Sequence, residues 1–126
     1  RDKAQKDSVM MYLMIALGGS LGALARFIVS GWFAFPIGTL AVNIVGSFVM
    51  GVVFVYFSAR GMDRAALFFM TGCLGAFTTF SMFSLDVFKL IEAERLAQAA
   101  GYVAISLIGA VAALFIGVFI AKGVWS

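Results

Sequence analysis

The chain has 126 residues, 63% of them hydrophobic and only 12% charged, with a formal charge of +3 and a mean hydropathy of +1.09. A soluble domain of this size could not cover such a core with so few charges, so the composition specifies a single-domain integral membrane protein. The sequence holds no histidine and one cysteine, Cys73, which excludes a histidine-based metal site, a histidine general base and a disulfide framework.

Residues 1–8 (RDKAQKDS) are polar and too hydrophilic for the apolar core of a signal peptide. They are expected to form a solvated, frayed N-terminal turn. The first apolar span is expected over about residues 9–30, since about 20 residues cross a bilayer. Gly18 and Gly22 have the small-xxx-small spacing that lets helices approach closely. Arg26 falls toward the end of this span. It can be an interface anchor that snorkels or a cation that draws anions into a vestibule.

Pro36, between Gly31 and Gly38, marks the turn into a second span over about residues 38–58. Thr39, Asn43, Ser47 and Gly51 follow i, i+4 spacing and give this helix one small, polar face. Asn43 is the costly member: an unpartnered buried amide is worth about 1–3 kcal/mol. It is either interhelical glue or a pore-lining donor. A short charged loop, 59–64, leads to the third span, about residues 65–91.

That third span carries the most informative stretch, GCLGAFTTFSMF at 72–83. Glycine loosens a helix, and the hydroxyls of Thr78, Thr79 and Ser81 compete for backbone hydrogen bonds. A helix broken at mid-membrane depth is expected there, its freed groups turned to protein or to a polar cavity. Phe80 and Phe83 are three apart and share a face. An aromatic ring has a positive edge, so rings turned edge-on can favour an anion without holding it tightly. Asp86 and Lys89 are expected near the far interface, where charge is cheap. The fourth span is expected over about residues 96–121, with Tyr102 and Ser106 on one face and Gly109, Ala113 and Gly117 as a small-residue stripe. Trp125 reads as an interfacial aromatic.

Four helices put both termini on one side. Lys and Arg then divide six against three, and three against three without Arg1, Lys3 and Lys6. The orientation signal is weak, so the chain is expected to insert both ways and to pair antiparallel with itself. No paired carboxylates, nucleophile–base pair, phosphate loop or metal-ligand cluster stands in the sequence, which argues against an enzyme. No aromatic-basic repeat suggests nucleic acid. The remaining pattern suits passage of a small ion that favours neutral hydrogen-bond donors.

With these residues in view the sequence resembles the Fluc (CrcB) family of fluoride channels. GGSLGALAR at 18–26, GTLAVNIVGSFVMG at 38–51 and GCLGAFTTFSMFS at 72–84 carry the resemblance, which covers all four spans. The resemblance implies an all-α, four-helix subunit with a broken third helix, forming an antiparallel, dual-topology homodimer in the cell inner membrane. It implies a passive fluoride-selective channel that relieves fluoride toxicity. It implies a fluoride pathway along Asn43, Phe80, Phe83, Ser81, Tyr102 and Ser106, with Arg26 by the vestibule. It also implies a structural Na+ ion at the dimer centre, held by the backbone carbonyls of Gly75 and Thr78. The sequence departs from the family pattern at Ala76, Met82 and Ala110. The rival readings are a proton-coupled small multidrug transporter, which needs a carboxylate deep in its first helix, and a non-conducting structural subunit.

Overall fold

The computed structural model describes residues 2–125. Helix α1 is Asp2–Ser30, α2 is Ile37–Arg60 and α6 is Leu96–Trp125. Between α2 and α6 the chain forms a short turn of helix, α3 (Asp63–Ala66), then a π-helical segment (Leu67–Leu74), then α4 (Gly75–Phe77) and α5 (Phe80–Glu92). Counted as spans, four helical stretches are long and apolar enough to cross a membrane: Asp2–Ser30, Ile37–Arg60, Asp63–Glu92 and Leu96–Trp125. With most large apolar side chains on their outer faces exposed, the bundle matches a solvent of lipid. The chain is an all-helical, multi-pass membrane protein.

The N-terminal segment differs from the expected frayed turn. Helix α1 already runs from Asp2; Arg1 lies outside the described residues. Asp2 stands in the first turn, where the helix dipole favours an acid. Asp2–Lys6 and Lys3–Asp7 have the spacing of helix-stabilising ion pairs. Asp7 also pairs with Arg64 across to α3, at 3.2 Å.

Helix ends follow local chemistry. Gly61 closes α2 in the left-handed conformation, φ 63°, with its N–H donating to the Phe57 carbonyl at 2.8 Å. The Phe35–Pro36 peptide that precedes α2 is cis. Thr79 caps the N-terminus of α5, its hydroxyl accepting from the Met82 N–H. At one end of the bundle the Tyr56 and Trp125 rings meet edge to face, 5.0 Å apart, and the Arg60 guanidinium covers Tyr56 at 4.1 Å. Together with Asp7–Arg64, these contacts gather the start of α1, the α2–α3 loop and the end of α6 at one level.

Two tight crossings hold the bundle. α1 lies along the π segment and α4, while α2 lies along α6. A Cβ on Gly18 would collide with the Phe68 carbonyl oxygen, and one on Gly22 with the Cys73 carbonyl oxygen. Across the other crossing, a Cβ on Gly51 would strike the Leu114 carbonyl and one on Gly117 the Phe48 carbonyl. Lipid supplies no hydrophobic drive between helices, so close backbone packing of this kind must hold them.

Asp86 lies near the far end of the third span, as expected, but it is not solvated. It is 4% exposed, in the middle of α5. Phe83, Asp86 and Leu90 fall on one helical face, and that face turns inward against Ala99 and Tyr102 of α6.

Gly22→Val should destabilise the protein by about 1–3 kcal/mol, the usual range for overpacking. Gly19→Val, where a Cβ meets nothing within 4 Å, should leave stability close to wild type. Thermal unfolding of the two purified variants in detergent checks the contrast, and equal melting would contradict it.

Candidate functional site

The third span changes conformation at Thr78 and Thr79. Thr78 has φ −82°, ψ 155°, and Thr79 has φ −154°, ψ 125°; both are extended. The preceding Leu67–Leu74 stretch is already wound as a π-helix, a form often found near functional positions. An extended pair inside a membrane helix leaves backbone groups without their usual partners, and protein must supply others.

Asn43 supplies two of them. The Thr79 N–H donates to Asn43 Oδ1 at 2.8 Å, and Asn43 Nδ2 donates to the Thr79 carbonyl at 3.0 Å. One side-chain amide thus pairs both ways with one backbone residue, as a neighbouring strand would. The carboxamide has two N–H bonds, so one donor is left over. Gly46, three residues on, lets Thr78 come close: a Cβ there would strike the Thr78 methyl group. Arg26 acts nearby. Its Nε donates to the Ala76 carbonyl at 3.0 Å, so a guanidinium caps the C-terminal end of α4.

The hydroxyls are used locally. Thr78 Oγ1 donates to the Leu74 carbonyl at 3.0 Å, Thr79 Oγ1 accepts from the Met82 N–H at 3.2 Å, and Ser81 Oγ lies 3.1 Å from Thr79 Oγ1. Two carbonyls in the same stretch lose their usual helical donor. The Thr79 N–H that would have reached Gly75 goes to Asn43, and the Met82 N–H that would have reached Thr78 goes to the Thr79 hydroxyl.

These residues border an open-faced groove of about 380 Å³. Asn43, Ser47, Gly75, Thr78, Thr79, Phe80, Phe83 and Ser106 line it, with Leu107, Ala110 and Val111. None of these side chains carries a charge. The Phe80 ring is 70% exposed while Phe83 is 6% exposed, and their centroids are 5.3 Å apart at 48°. Ser106 is 5% exposed, and its hydroxyl has no hydrogen-bond partner, the one buried side-chain polar atom so placed among the described residues. An orphaned hydroxyl has both a donor and an acceptor to offer.

Of the residues singled out from sequence, Asn43, Phe80, Phe83, Ser106, Gly75 and Thr78 meet at this groove. Ser81, Tyr102 and Arg26 stand outside its lining. Tyr102 is buried one turn from Ser106 on α6, its ring 5.4 Å from Phe83. Its hydroxyl donates to Asp86 Oδ2 at 2.9 Å. The contact between Asp86 and Tyr102 is not evident from sequence. The signal available was the i+3 spacing of Asp86 from Phe83, which fixes it to the same face.

The Asn43 pairing makes a direct prediction. Asn43→Ala should speed amide exchange at Thr79 by roughly tenfold or more, since two hydrogen bonds of about 1 kcal/mol each are lost. Hydrogen–deuterium exchange read by mass spectrometry on residues 72–84 is the check; unchanged protection would mean that another group holds the segment.

The family described as CrcB-like protein, Camphor Resistance (CrcB), matches residues 13–118. A protein of Cereibacter sphaeroides named fluoride-specific ion channel FluC is 46% identical over 117 residues, covering 88% of this chain and 94% of that protein. A Paracoccus denitrificans protein of the same name is 42% identical over 120 residues, with 91% and 97% covered. A Hahella chejuensis protein, again so named, is 38% identical over 123 residues, with 91% and 97% covered. With the match running through all four spans and the groove, the chain belongs to the CrcB family.

Proposed function

We propose that the protein is a fluoride-selective passive channel that lets fluoride leave the cytoplasm across the inner membrane, and that it works as a single-domain subunit of an antiparallel homodimer. The curated name of its relatives supplies the ion. In this chain, the observation that carries the reading is an uncharged groove lined by Asn43, Phe80, Phe83 and Ser106, the last with a hydroxyl that has no hydrogen-bond partner. Fluoride is small and strongly hydrated, so a pathway must replace its water without binding it tightly. The spare Asn43 N–H and the Ser106 hydroxyl act as neutral donors, and the Phe80 and Phe83 rings present positive edges. Ser81, Tyr102 and Arg26 flank the pathway.

The groove is open along one side in a single chain, and the half-exposed apolar faces around it suit a second copy as the missing wall. The third span serves as a broken helix in this assembly. The donor set of Gly75 and Thr78 fits a structural Na+: both are neutral carbonyl oxygens relieved of backbone partners, the ligand type that hard cations take. Bound there, the ion would supply positive charge that ties the two interrupted spans together. Two carbonyls from one chain leave a cation short of ligands, so the partner would contribute the same pair.

Passive conduction fits better than proton-coupled export. The first span has no carboxylate between Val9 and Arg26. The one buried carboxyl on the third span, Asp86, is engaged by Tyr102 and lies off the groove lining.

Purified protein in fluoride-loaded vesicles should release fluoride when a potassium ionophore clamps the voltage, and chloride-loaded vesicles should stay full. Phe80→Ile should cut the fluoride flux by roughly tenfold or more, through loss of the ring edge, while the dimer stays intact by size exclusion. No fluoride release from the wild-type protein sinks the channel reading. Replacing Na+ by N-methylglucamine should lower the melting temperature of the detergent-solubilised dimer. A melting temperature indifferent to the cation would remove the sodium from the scheme.

A further inference from the structure

Asp86 and Tyr102 form a buried pair directly beneath the groove. Asp86 is three residues after Phe83 on α5, and Tyr102 is four residues before Ser106 on α6. The two helices run antiparallel, so Phe83 and Ser106 make one layer, lining the groove, and Asp86 and Tyr102 make the next. Both members of the lower layer are 4% exposed. Thr39 of α2 lies beside the Tyr102 hydroxyl. Lys89, the basic residue nearest Asp86 along α5, turns away to the Phe35 ring, 5.8 Å from its centroid.

We propose, resting on the channel reading above, that Asp86 is a positioning residue: its carboxyl group accepts the hydrogen bond of the Tyr102 hydroxyl and so holds the Tyr102 ring against Phe83. A phenol has a single O–H. The 2.9 Å bond commits that proton to Asp86 Oδ2, which leaves Tyr102 only lone pairs to turn toward an anion. Tyr102 therefore acts on permeation through the Phe83 ring, 5.4 Å away and inclined by 33°, and does not donate to the ion. The layer also explains why a costly carboxyl is kept within a membrane helix. Such a group in a span is a functional candidate whose partner must be named, and here the partner is a ring that abuts the groove.

The test is a cycle of Tyr102→Phe, Asp86→Val and the double variant, with Asp86→Asn beside it, read by fluoride efflux and by thermal unfolding in detergent. Removing one partner strands the other in a buried site, whereas removing both is far better tolerated. Tyr102→Phe and Asp86→Val should each slow efflux by roughly tenfold. The double variant should be no slower than either single change, because all three lose the same hydrogen bond, and Asp86→Asn, which keeps an acceptor oxygen, should stay within about threefold of wild type. Wild-type efflux in Asp86→Val beside slow efflux in Tyr102→Phe would make Tyr102 a direct donor to the ion and overturn the proposal. So would Asp86→Asn as slow as Asp86→Val, because the charge and not the hydrogen bond would then matter. The melting temperatures decide the pairing even if wild-type protein passes no fluoride: non-additive losses support it, and additive losses overturn it.

Discussion

The side chain of Asn43 is the constraint on which the rest depends. Thr78 and Thr79 are extended in the middle of a membrane span, and in hydrocarbon an unpaired amide costs several kcal/mol. Asn43 meets the Thr79 N–H and carbonyl at once. No other uncharged side chain but glutamine has a donor and an acceptor in that fork. The neighbours then follow. Gly46 must lack a Cβ for Thr78 to approach α2. Arg26 must reach the Ala76 carbonyl that the interruption leaves exposed. The Thr79 hydroxyl must cap α5 so that the helix can restart at Phe80. Each device serves the same short stretch from a different helix, and together they hold an irregular backbone as firmly as a regular one.

Rigid framing makes this possible. α1 is locked against the π segment through Gly18 and Gly22, and α2 against α6 through Gly51 and Gly117. The interruption lies between those two tight pairs. The groove consequently has one wall from α2, one from α6 and a floor from α4 and α5. A wider helix just before the interruption brings α4 to the end of Arg26, a reach of 50 residues in sequence.

Much of this was legible from sequence, and the parts that were not share a cause. Spans and the small-residue crossings could be read because apolar length and i, i+4 glycine spacing are properties of one helix at a time. The start of α1 at Asp2 was missed because polarity was weighed above helix propensity and ion-pair spacing over residues 2–7. The hydroxyls of Thr78 and Thr79 bond backbone groups within four residues, the competition expected of them, and Ser81, which the resemblance puts on the pathway, lies against the Thr79 hydroxyl. Hydroxyl count does not say which way a hydroxyl points. Asp86 was assigned to the interface by its distance along the span. Its burial is set by Tyr102, a residue on another helix, and no single-helix pattern contains that information.

The placement of charge gives the site its character. Arg26 and Asp86 both approach the groove, and each is turned aside, the guanidinium to the Ala76 carbonyl and the carboxyl to the Tyr102 hydroxyl. A free guanidinium 4 Å from an anion would attract it by about 4 kcal/mol at an effective dielectric near 20. That is roughly a thousandfold in residence time, enough to turn a conduit into a trap. A bare carboxylate at the same distance would bar entry by a similar margin. With both groups hydrogen-bonded away from the groove lining, an anion in the proposed pathway meets neutral donors and ring edges, each worth on the order of 1 kcal/mol. Several weak contacts in series let an ion shed water and still leave, and in the proposed pathway that balance is set by where Arg26 and Asp86 find their partners.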